Sequence, residues 1–366
     1  MAKKNIKSKT QLPAVSIPEV RLSLFRTALT NWFKLYGRAL PWRETKDPYR
    51  IWLSEVILQQ TQVVQGWDYY LRFIERYPTV SDLAAAPEDE VMLMWQGLGY
   101  YSRALNLHHA AKQIVESHGG IFPTESKDVA NLKGVGAYTT AAIMSIAYDQ
   151  PFAVVDGNVY RVLSRVGAYE VPIDETYGQK FYRELADLYL DKEDPSLYNQ
   201  AIMDLGAMIC KPRTPSCDEC PIAKYCESCN NLELTSLLPI KSKSTKVTPL
   251  FMDYFLLIDG DYFYVEERDK KGIWKGLYQL PLVESLERNM TPSEVEERLD
   301  NKARVLEHVD LSPHRLTHRL ISICVHVSEL LSTELEGKYQ KHLIREHDKL
   351  AFPKPLRQFL DNYFPK

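Results

Sequence analysis

The chain has 366 residues, 45% of them hydrophobic and 25% charged, with 45 lysines and arginines against 48 aspartates and glutamates and a formal net charge of −3. That length exceeds one ordinary domain, the hydrophobic content is too high for disorder, and no run reaches the ~20 apolar residues of a membrane span. The balanced charge lacks the bulk attraction of a strongly basic nucleic-acid binder, so charge alone argues against DNA.

In chain order, residues 1–20 carry Lys3, Lys4, Lys7 and Lys9 with no apolar stretch behind them, which excludes a secretory signal and predicts a flexible tail. Residues 21–230 are expected to be all-α. Apolar residues recur at three- and four-residue spacing in Leu24 to Phe33, Ile51 to Val64, Tyr69 to Tyr77, Val91 to Trp95, Ala104 to Val115, Thr139 to Ala147 and Tyr182 to Leu190. Residues 231–248, with Lys241, Lys243 and Lys246 and no periodicity, read as a linker. From 249 to 366 the pattern turns to strands at Tyr254 to Asp259, Tyr262 to Glu267 and Leu320 to Val327. An Asp259-Gly260 hairpin turn and helices at Pro292 to Leu299 and Pro355 to Tyr363 make this an α+β domain. Residues 1–232 hold 25 basic and 27 acidic side chains and the remainder 20 and 21, so neither half is basic.

Five of the six cysteines fall between Cys210 and Cys229. Cys210, Cys217, Cys220 and Cys226, spaced C-x6-C-x2-C-x5-C around Pro212, Pro215 and Pro221, suit one four-thiolate metal centre. Iron–sulfur cluster and structural zinc both accept this donor set. Cys229 and Cys324 stand outside it and read as free thiols in a reducing compartment.

Between two helical stretches, Leu132-Lys133-Gly134-Val135-Gly136-Ala137-Tyr138-Thr139 forms a tight turn feeding a helix N-terminus. The amides at Gly134 and Gly136 offer an anion site for a backbone phosphate, although a plain helix connector accounts for the same residues. Downstream, Asp156 in Val154-Val155-Asp156-Gly157-Asn158 sits at a helix start; it is an N-cap, and the cap position would also hold a carboxylate ionised and aimed. Glu55 lies in the apolar helix Ile51 to Thr61, where burial would raise its pKa and fit it to be a general acid; a surface glutamate is the alternative.

Together the glycine hairpin, the following aspartate and the cysteine loop resemble the helix-hairpin-helix DNA glycosylases of the endonuclease III superfamily. Leu40-Pro41-Trp42-Arg43, Trp52 to Thr61, Gly97-Leu98-Gly99-Tyr100-Tyr101-Ser102-Arg103 and Asn199 to Ala207 narrow the resemblance to the adenine DNA glycosylases of the MutY type, over nearly the whole chain from Leu22.

The resemblance implies a [4Fe–4S] cluster on the four cysteines and excision of adenine mispaired with 8-oxoguanine or guanine in double-stranded DNA. Glu55 and Asp156 would be the catalytic carboxylates, with Tyr138 and Asn158 orienting Asp156 and water. Arg38, Leu40, Trp42, Gln200 and Asp204 would wall the adenine pocket. Gln60, Thr61, Leu98, Tyr100, Gly134, Gly136, Lys211 and Arg213 would contact DNA. Bifunctional members carry a nucleophilic lysine where Tyr138 stands, so a monofunctional enzyme is expected.

The C-terminal part, with Gly272 to Pro281, resembles the family's Nudix-like domain but lacks the glutamate-rich magnesium helix, which implies DNA binding over nucleotide hydrolysis. The family's Phe-Ser-His loop corresponds to Leu316-Thr317-His318, where the aromatic ring is lost and the hydroxyl kept; Thr317 and His318 are the expected 8-oxoguanine contacts. A thymine or uracil mismatch glycosylase of the same fold and a non-catalytic DNA-binding redox protein are the alternatives. A bacterial cytoplasmic, nucleoid-associated monomer with no membrane partner is the default expectation. With a neutral chain, phosphate contacts must be concentrated at the hairpin amides, at Lys211 and Arg213, and at the linker lysines.

Overall fold

The computed structural model describes residues 12–13, 15–243, 246–268, 272–299, 302–332 and 339–365. Lys3, Lys4, Lys7 and Lys9 of the expected tail lie outside them. The chain forms two compact units, Met1–Glu55 with Phe122–Ser244, and Val56–Ile121 with Thr245–Lys366.

The first unit is helical. It contains α1 (Glu19–Tyr36), a 3-10 turn at Pro41–Arg43 and most of α2 (Pro48–Leu58). The second unit begins inside α2 and continues with α3 (Val63–Arg76), α4 (Val80–Ala85), α5 (Glu88–Trp95) and α6 (Ser102–His118). The chain then returns to the first unit for α7 (Ser126–Asn131), α8 (Ala137–Ile146), α9 (Gly157–Val166), α10 (Thr176–Tyr189), α11 (Pro195–Met208) and α12 (Leu232–Leu237). Helix α11 packs on α1, α8 and α9 through Tyr198, Ala201, Ile202 and Leu205, which are almost wholly buried. The stretch 231–248, expected to be a linker, opens with α12, capped by the Asn231 side chain on the Leu234 amide.

The helix expected from Ile51 to Val64 is two helices. Gln60 adopts φ +57°, a left-handed conformation, and α3 starts only at Val63. The four carbonyls that end α2 therefore need partners, and the buried guanidinium of Arg103 supplies two of them, donating to Val56 O at 2.9 Å and Ile57 O at 2.8 Å.

The second unit also holds β1 (Thr248–Asp259), β2 (Tyr262–Glu267), β3 (Tyr278–Gln279), β4 (Leu282–Ser285), α13 (Pro292–Arg298), β5 (Ala303–Asp310), β6 (His314–Arg315), β7 (Arg319–Leu330), β8 (Gln340–Leu343) and α14 (Lys354–Tyr363). The main sheet runs β3-β2-β1-β7-β5, with β1 and β7 parallel at its centre and antiparallel partners outside. Met252, Tyr254 and Leu256 of β1 and Ile321, Ile323, Val325 and Val327 of β7 pack with Leu356 and Leu360 of α14. The alternate residues, Phe255 and Leu257, face Val295 of α13 and Leu299. Period-two alternation thus buries both faces of the central strands, as a covered mixed sheet requires. The Asp259-Gly260 turn and β2 form at the expected residues; β5 does not read as a strand in the sequence.

Candidate active site

Glu55 is the one charged residue among Ile51, Trp52, Leu53, Val56 and Ile57, all buried. A helix apolar all round is covered on every side, so its lone acid is carried inside with it. Glu55 is 9% exposed, which removes the surface alternative. Burial pushes its carboxyl from 4.5 up to about 7; the Tyr138 hydroxyl, donating to Oε2 at 2.7 Å, works against the rise, and the nearby Asp156 charge adds to it. Tyr138 itself is pushed well above its ordinary value by burial and by the two acids, so it stays a proton donor.

Tyr138 is delivered by the glycine turn. Gly134 has φ +78°, a conformation costly for any residue with a Cβ, and Gly136 caps α8 in an extended conformation. The turn's two glycines are exposed while Thr139 and Thr140 behind them are buried.

Asp156 is the N-cap of α9, its Oδ1 accepting the Val159 amide at 2.8 Å. Oδ2 accepts from the Asn158 side chain at 2.7 Å, and Arg161 in turn donates to Asn158 Oδ1 at 2.8 Å. Burial raises the Asp156 carboxyl despite these donors, so capping does not keep it as freely ionised as the sequence suggested. Asp156 accepts from more donors than Glu55, and these favour its ionised form against the pull of burial. Glu55, Tyr138, Asp156 and Asn158, far apart in sequence, are thereby brought into one electrostatic unit. Gly206 permits the close packing beneath it: a Cβ there would stand 2.6 Å from the Asn158 Cβ.

Of the residues expected to wall the adenine pocket, Asp204 is fully buried and grips two arginines. Arg38 donates to it from its backbone amide at 3.0 Å and through its guanidinium, and Arg43 donates at 2.8 and 2.9 Å. Burial alone would raise this carboxyl; Arg43 and Arg38 outweigh it and hold it below the usual carboxylate range. Leu40 and Trp42 are buried, and Gln200 is turned onto Ser196 of its own helix. Asn199 bonds the backbone of Phe152 and Val154, fixing the strand-like approach to Asp156.

The four cysteines of the loop line one cavity with Val162, Leu205, Ile209 and Ile222, and Cys229 stands at the same cavity. Four sulfur donors converging in an apolar wall fit an iron–sulfur cluster. Burial pushes the Cys220 thiol up to about 12 and that of Cys226 to about 11, with the neighbouring thiols adding to both, so a bound cation is needed to hold four thiolates together. Arg165 donates to Cys210 Sγ at 3.3 Å and to the carbonyls of Lys211 and Pro212 at 2.8 Å, and also bonds Thr235 O. Arg161 donates to Cys210 O at 2.7 Å. Helix α9 thus carries Asp156 at its start and holds the cysteine loop near its end. Replacing Arg165 by leucine is expected to lower iron content to roughly half or less, because groups behind metal ligands are worth about 10–100-fold in affinity; elemental analysis of the purified variant checks this.

Lys211 and Arg213 are exposed on the cysteine loop, and Gly134 and Gly136 are exposed on the turn between α7 and α8. Of the linker lysines, Lys243 pairs with Glu175 at 3.3 Å.

In the second unit, Gln60 is exposed, Thr61 partly so and Leu98 buried. Tyr100 has φ +48° and is half-exposed, whereas Tyr101 beside it is core. Arg103 Nη2 donates to Gly99 O at 3.0 Å and Thr61 Oγ1 at 3.3 Å, tying the Gln60 turn to the Tyr100 turn. The Tyr100 hydroxyl meets Thr317 Oγ1 at 2.9 Å, at a cleft lined by Gly97–Ser102, Gly272–Lys275 and His314–His318. His318 is exposed.

Sequence reasoning passed over Arg43, Arg103, Arg161 and Arg165. Arg161 and Arg165 stand four apart on one face of the amphipathic helix α9, and that spacing was the available signal.

Residues 53–185 match the helix-hairpin-helix superfamily of base excision DNA repair proteins. Residues 210–226 match the iron–sulfur binding domain of endonuclease III, which takes in the four spaced cysteines and leaves Cys229 out. Residues 253–362 match the NUDIX domain. The adenine DNA glycosylase of Buchnera aphidicola subsp. Baizongia pistaciae is 33% identical over 302 residues, 82% of this chain and 84% of that protein. That of Buchnera aphidicola subsp. Schizaphis graminum is 31% identical over 350 residues, 92% of this chain and 98% of that protein. The human adenine DNA glycosylase is 40% identical over 232 residues, 61% of this chain and 42% of that protein. Among solved structures, a thermostable thymine-DNA glycosylase superposes with a TM-score of 0.53 at 31% identity, over 57% of this chain and 96% of that one.

Proposed function

Since the chain belongs to the adenine DNA glycosylase family, with its iron–sulfur cluster loop and a Nudix-like C-terminal domain, we propose that it hydrolyses the N-glycosidic bond of adenine mispaired with 8-oxoguanine or guanine and leaves the strand uncut. The observation that carries this reading is Glu55: a carboxyl raised to about 7 in an apolar helix, one hydrogen bond from Tyr138 and coupled to Asp156.

The target base is inaccessible in a duplex and must be flipped out. Protonated Glu55 donates its proton to a ring nitrogen of adenine, the base leaves, and the sugar gains oxocarbenium character. Asp156, as the carboxylate oriented by Asn158, faces that positive charge. Glu55, now ionised, accepts a proton from the attacking water. Two carboxyl groups in different hydrogen-bonding surroundings divide the work as in other glycoside hydrolyses. Arg38, Leu40, Trp42, Gln200 and Asp204 wall the base pocket, the Arg38 and Arg43 clamp on Asp204 holding it rigid.

The amides at Gly134 and Gly136 with Lys211 and Arg213 hold the phosphates, Gln60 and Tyr100 fill the gap left by the flipped base, and Thr61 and Leu98 belong to the same DNA-contacting turns. When bound, the cluster crosslinks the cysteine loop and so fixes Lys211 and Arg213. Tyr138 in place of a nucleophilic lysine supports monofunctional chemistry. A single-turnover assay on an 8-oxoguanine:adenine duplex is expected to release adenine, with strand breaks only after alkali. Breaks without alkali, or no release, would overturn the reading.

Thr317 and His318 read the base opposite adenine, Thr317 with its hydroxyl against Tyr100. Replacing Thr317 by alanine is expected to narrow the rate preference for 8-oxoguanine:adenine over guanine:adenine by roughly 5–10-fold, about one net hydrogen bond. An unchanged preference removes Thr317 from recognition.

A further inference from the structure

The second face of the C-terminal sheet contains a cluster that adenine excision does not use. On β7, Cys324 and His326 point to the face opposite the large apolar core, and both are fully buried. His308 of β5 lies directly across from His326 in the antiparallel register, and Asp310 lies across from Cys324. One donor atom from each of His308, Cys324 and His326 falls within 4.8 Å of the others. Cys324 Sγ stands 3.4 Å from His308 ring nitrogens.

His326 is held for ligation. Its Nε2 lies 3.0 Å from Oδ1 of Asp253, a fully buried carboxylate on β1 that also accepts the Met290 amide at 3.1 Å. An Nε2–H donated to Asp253 leaves a lone pair on Nδ1, and that buried nitrogen has no hydrogen-bond partner. A buried acceptor without a partner costs free energy unless something fills it. Carboxylate, histidine and an unfilled nitrogen in line is the arrangement that orients a metal-bound imidazole.

We propose that His308, Cys324 and His326 form a zinc site, with Asp253 orienting His326 and Asp310 within reach as the fourth ligand. Asp310 Oδ1 lies 3.5 Å from His308 Nε2. Around a tetrahedral zinc, nitrogen and sulfur donors stand roughly 3.6 Å apart, given bonds of about 2.1 and 2.3 Å, so the present spacing needs only small side-chain movements to close on the ion. The Cys324 thiol releases its proton to solvent as zinc binds. His308, one-third exposed, provides the entry side. The ion would clamp β5, an edge strand, to β7. It also gives Cys324, read from the sequence as a free thiol, a role separate from the cluster cysteines.

The test is the zinc and iron content of the full chain after incubation with micromolar zinc chloride and gel filtration, for wild type, His308→Ala and Cys324→Ser. Wild type is expected to carry about one zinc per chain besides its iron, and both variants to lose the zinc and keep the iron. Asp253→Asn is expected to weaken zinc roughly 10–100-fold in competition with a fluorescent chelator. Added zinc should raise the melting temperature of wild type and not of His308→Ala, a substitution at a part-exposed edge position. Wild type that takes up no zinc overturns the proposal. Zinc retained by His308→Ala overturns it equally, because that variant leaves the four cluster cysteines intact and the ion would then sit there.

Discussion

Glu55→Gln is expected to lower single-turnover adenine release by roughly 10²–10⁴-fold, the range for loss of a positioned general acid. Glutamine keeps the shape and can still accept the Tyr138 hydrogen bond, but carries no proton to give. The same substitution should stabilise the fold. A carboxyl raised from 4.5 to about 7 binds more protons folded than unfolded, so wild-type stability falls as pH rises across that window. Its full value, about 3 kcal/mol, is lost by about pH 8, where Glu55 is ionised in both states. Glu55→Gln should therefore melt higher than wild type at about pH 8 and lose that advantage towards about pH 5. Denaturation at the two pH values checks it. A gain in stability paired with a loss of activity marks a residue kept for its chemistry.

Asp156→Asn is expected to bind the mispaired duplex at near wild-type affinity and to release adenine roughly 10²–10³-fold more slowly. Asparagine is as good an N-cap as aspartate, so α9 should still begin at the same place. Melting curves and duplex binding should change little, which separates the lost charge from a lost fold. An alanine in that place would forfeit the cap as well, about 1 kcal/mol, and confuse the two.

The carboxylate pair was legible early because each acid stood out against its local sequence: Glu55 in an apolar helix, Asp156 before Gly157-Asn158 at a helix start. The cysteine spacing was legible because four ligands in one short loop leave few alternatives. What escaped notice was what depends on distant partners. The end of α2 at Leu58 has no glycine or proline to announce it; Gln60 turns left-handed where Arg103, over forty residues away in sequence, takes up the freed carbonyls. Arg43, Arg161 and Arg165 acquire their roles only from the buried Asp204 and the cysteine-loop carbonyls that the fold brings beside them. Strand β5, mostly exposed and carrying Arg304, Glu307 and Asp310, shows no period-two apolar pattern, and its pairing with β7 is what assembles the histidine and cysteine cluster. Parallel pairing of β1 with β7 joins segments separated by some seventy residues, which no local pattern encodes.

The central claim, that a protonated Glu55 drives base departure, is tested most directly by the pH dependence of single-turnover adenine release from 8-oxoguanine:adenine DNA. The rate is expected to fall as pH rises through about 7, where Glu55 loses its proton, and the residual activity of Glu55→Gln should not share that decline. A wild-type rate that stays level to about pH 8.5, or a Glu55→Gln rate equal to wild type, would contradict the account.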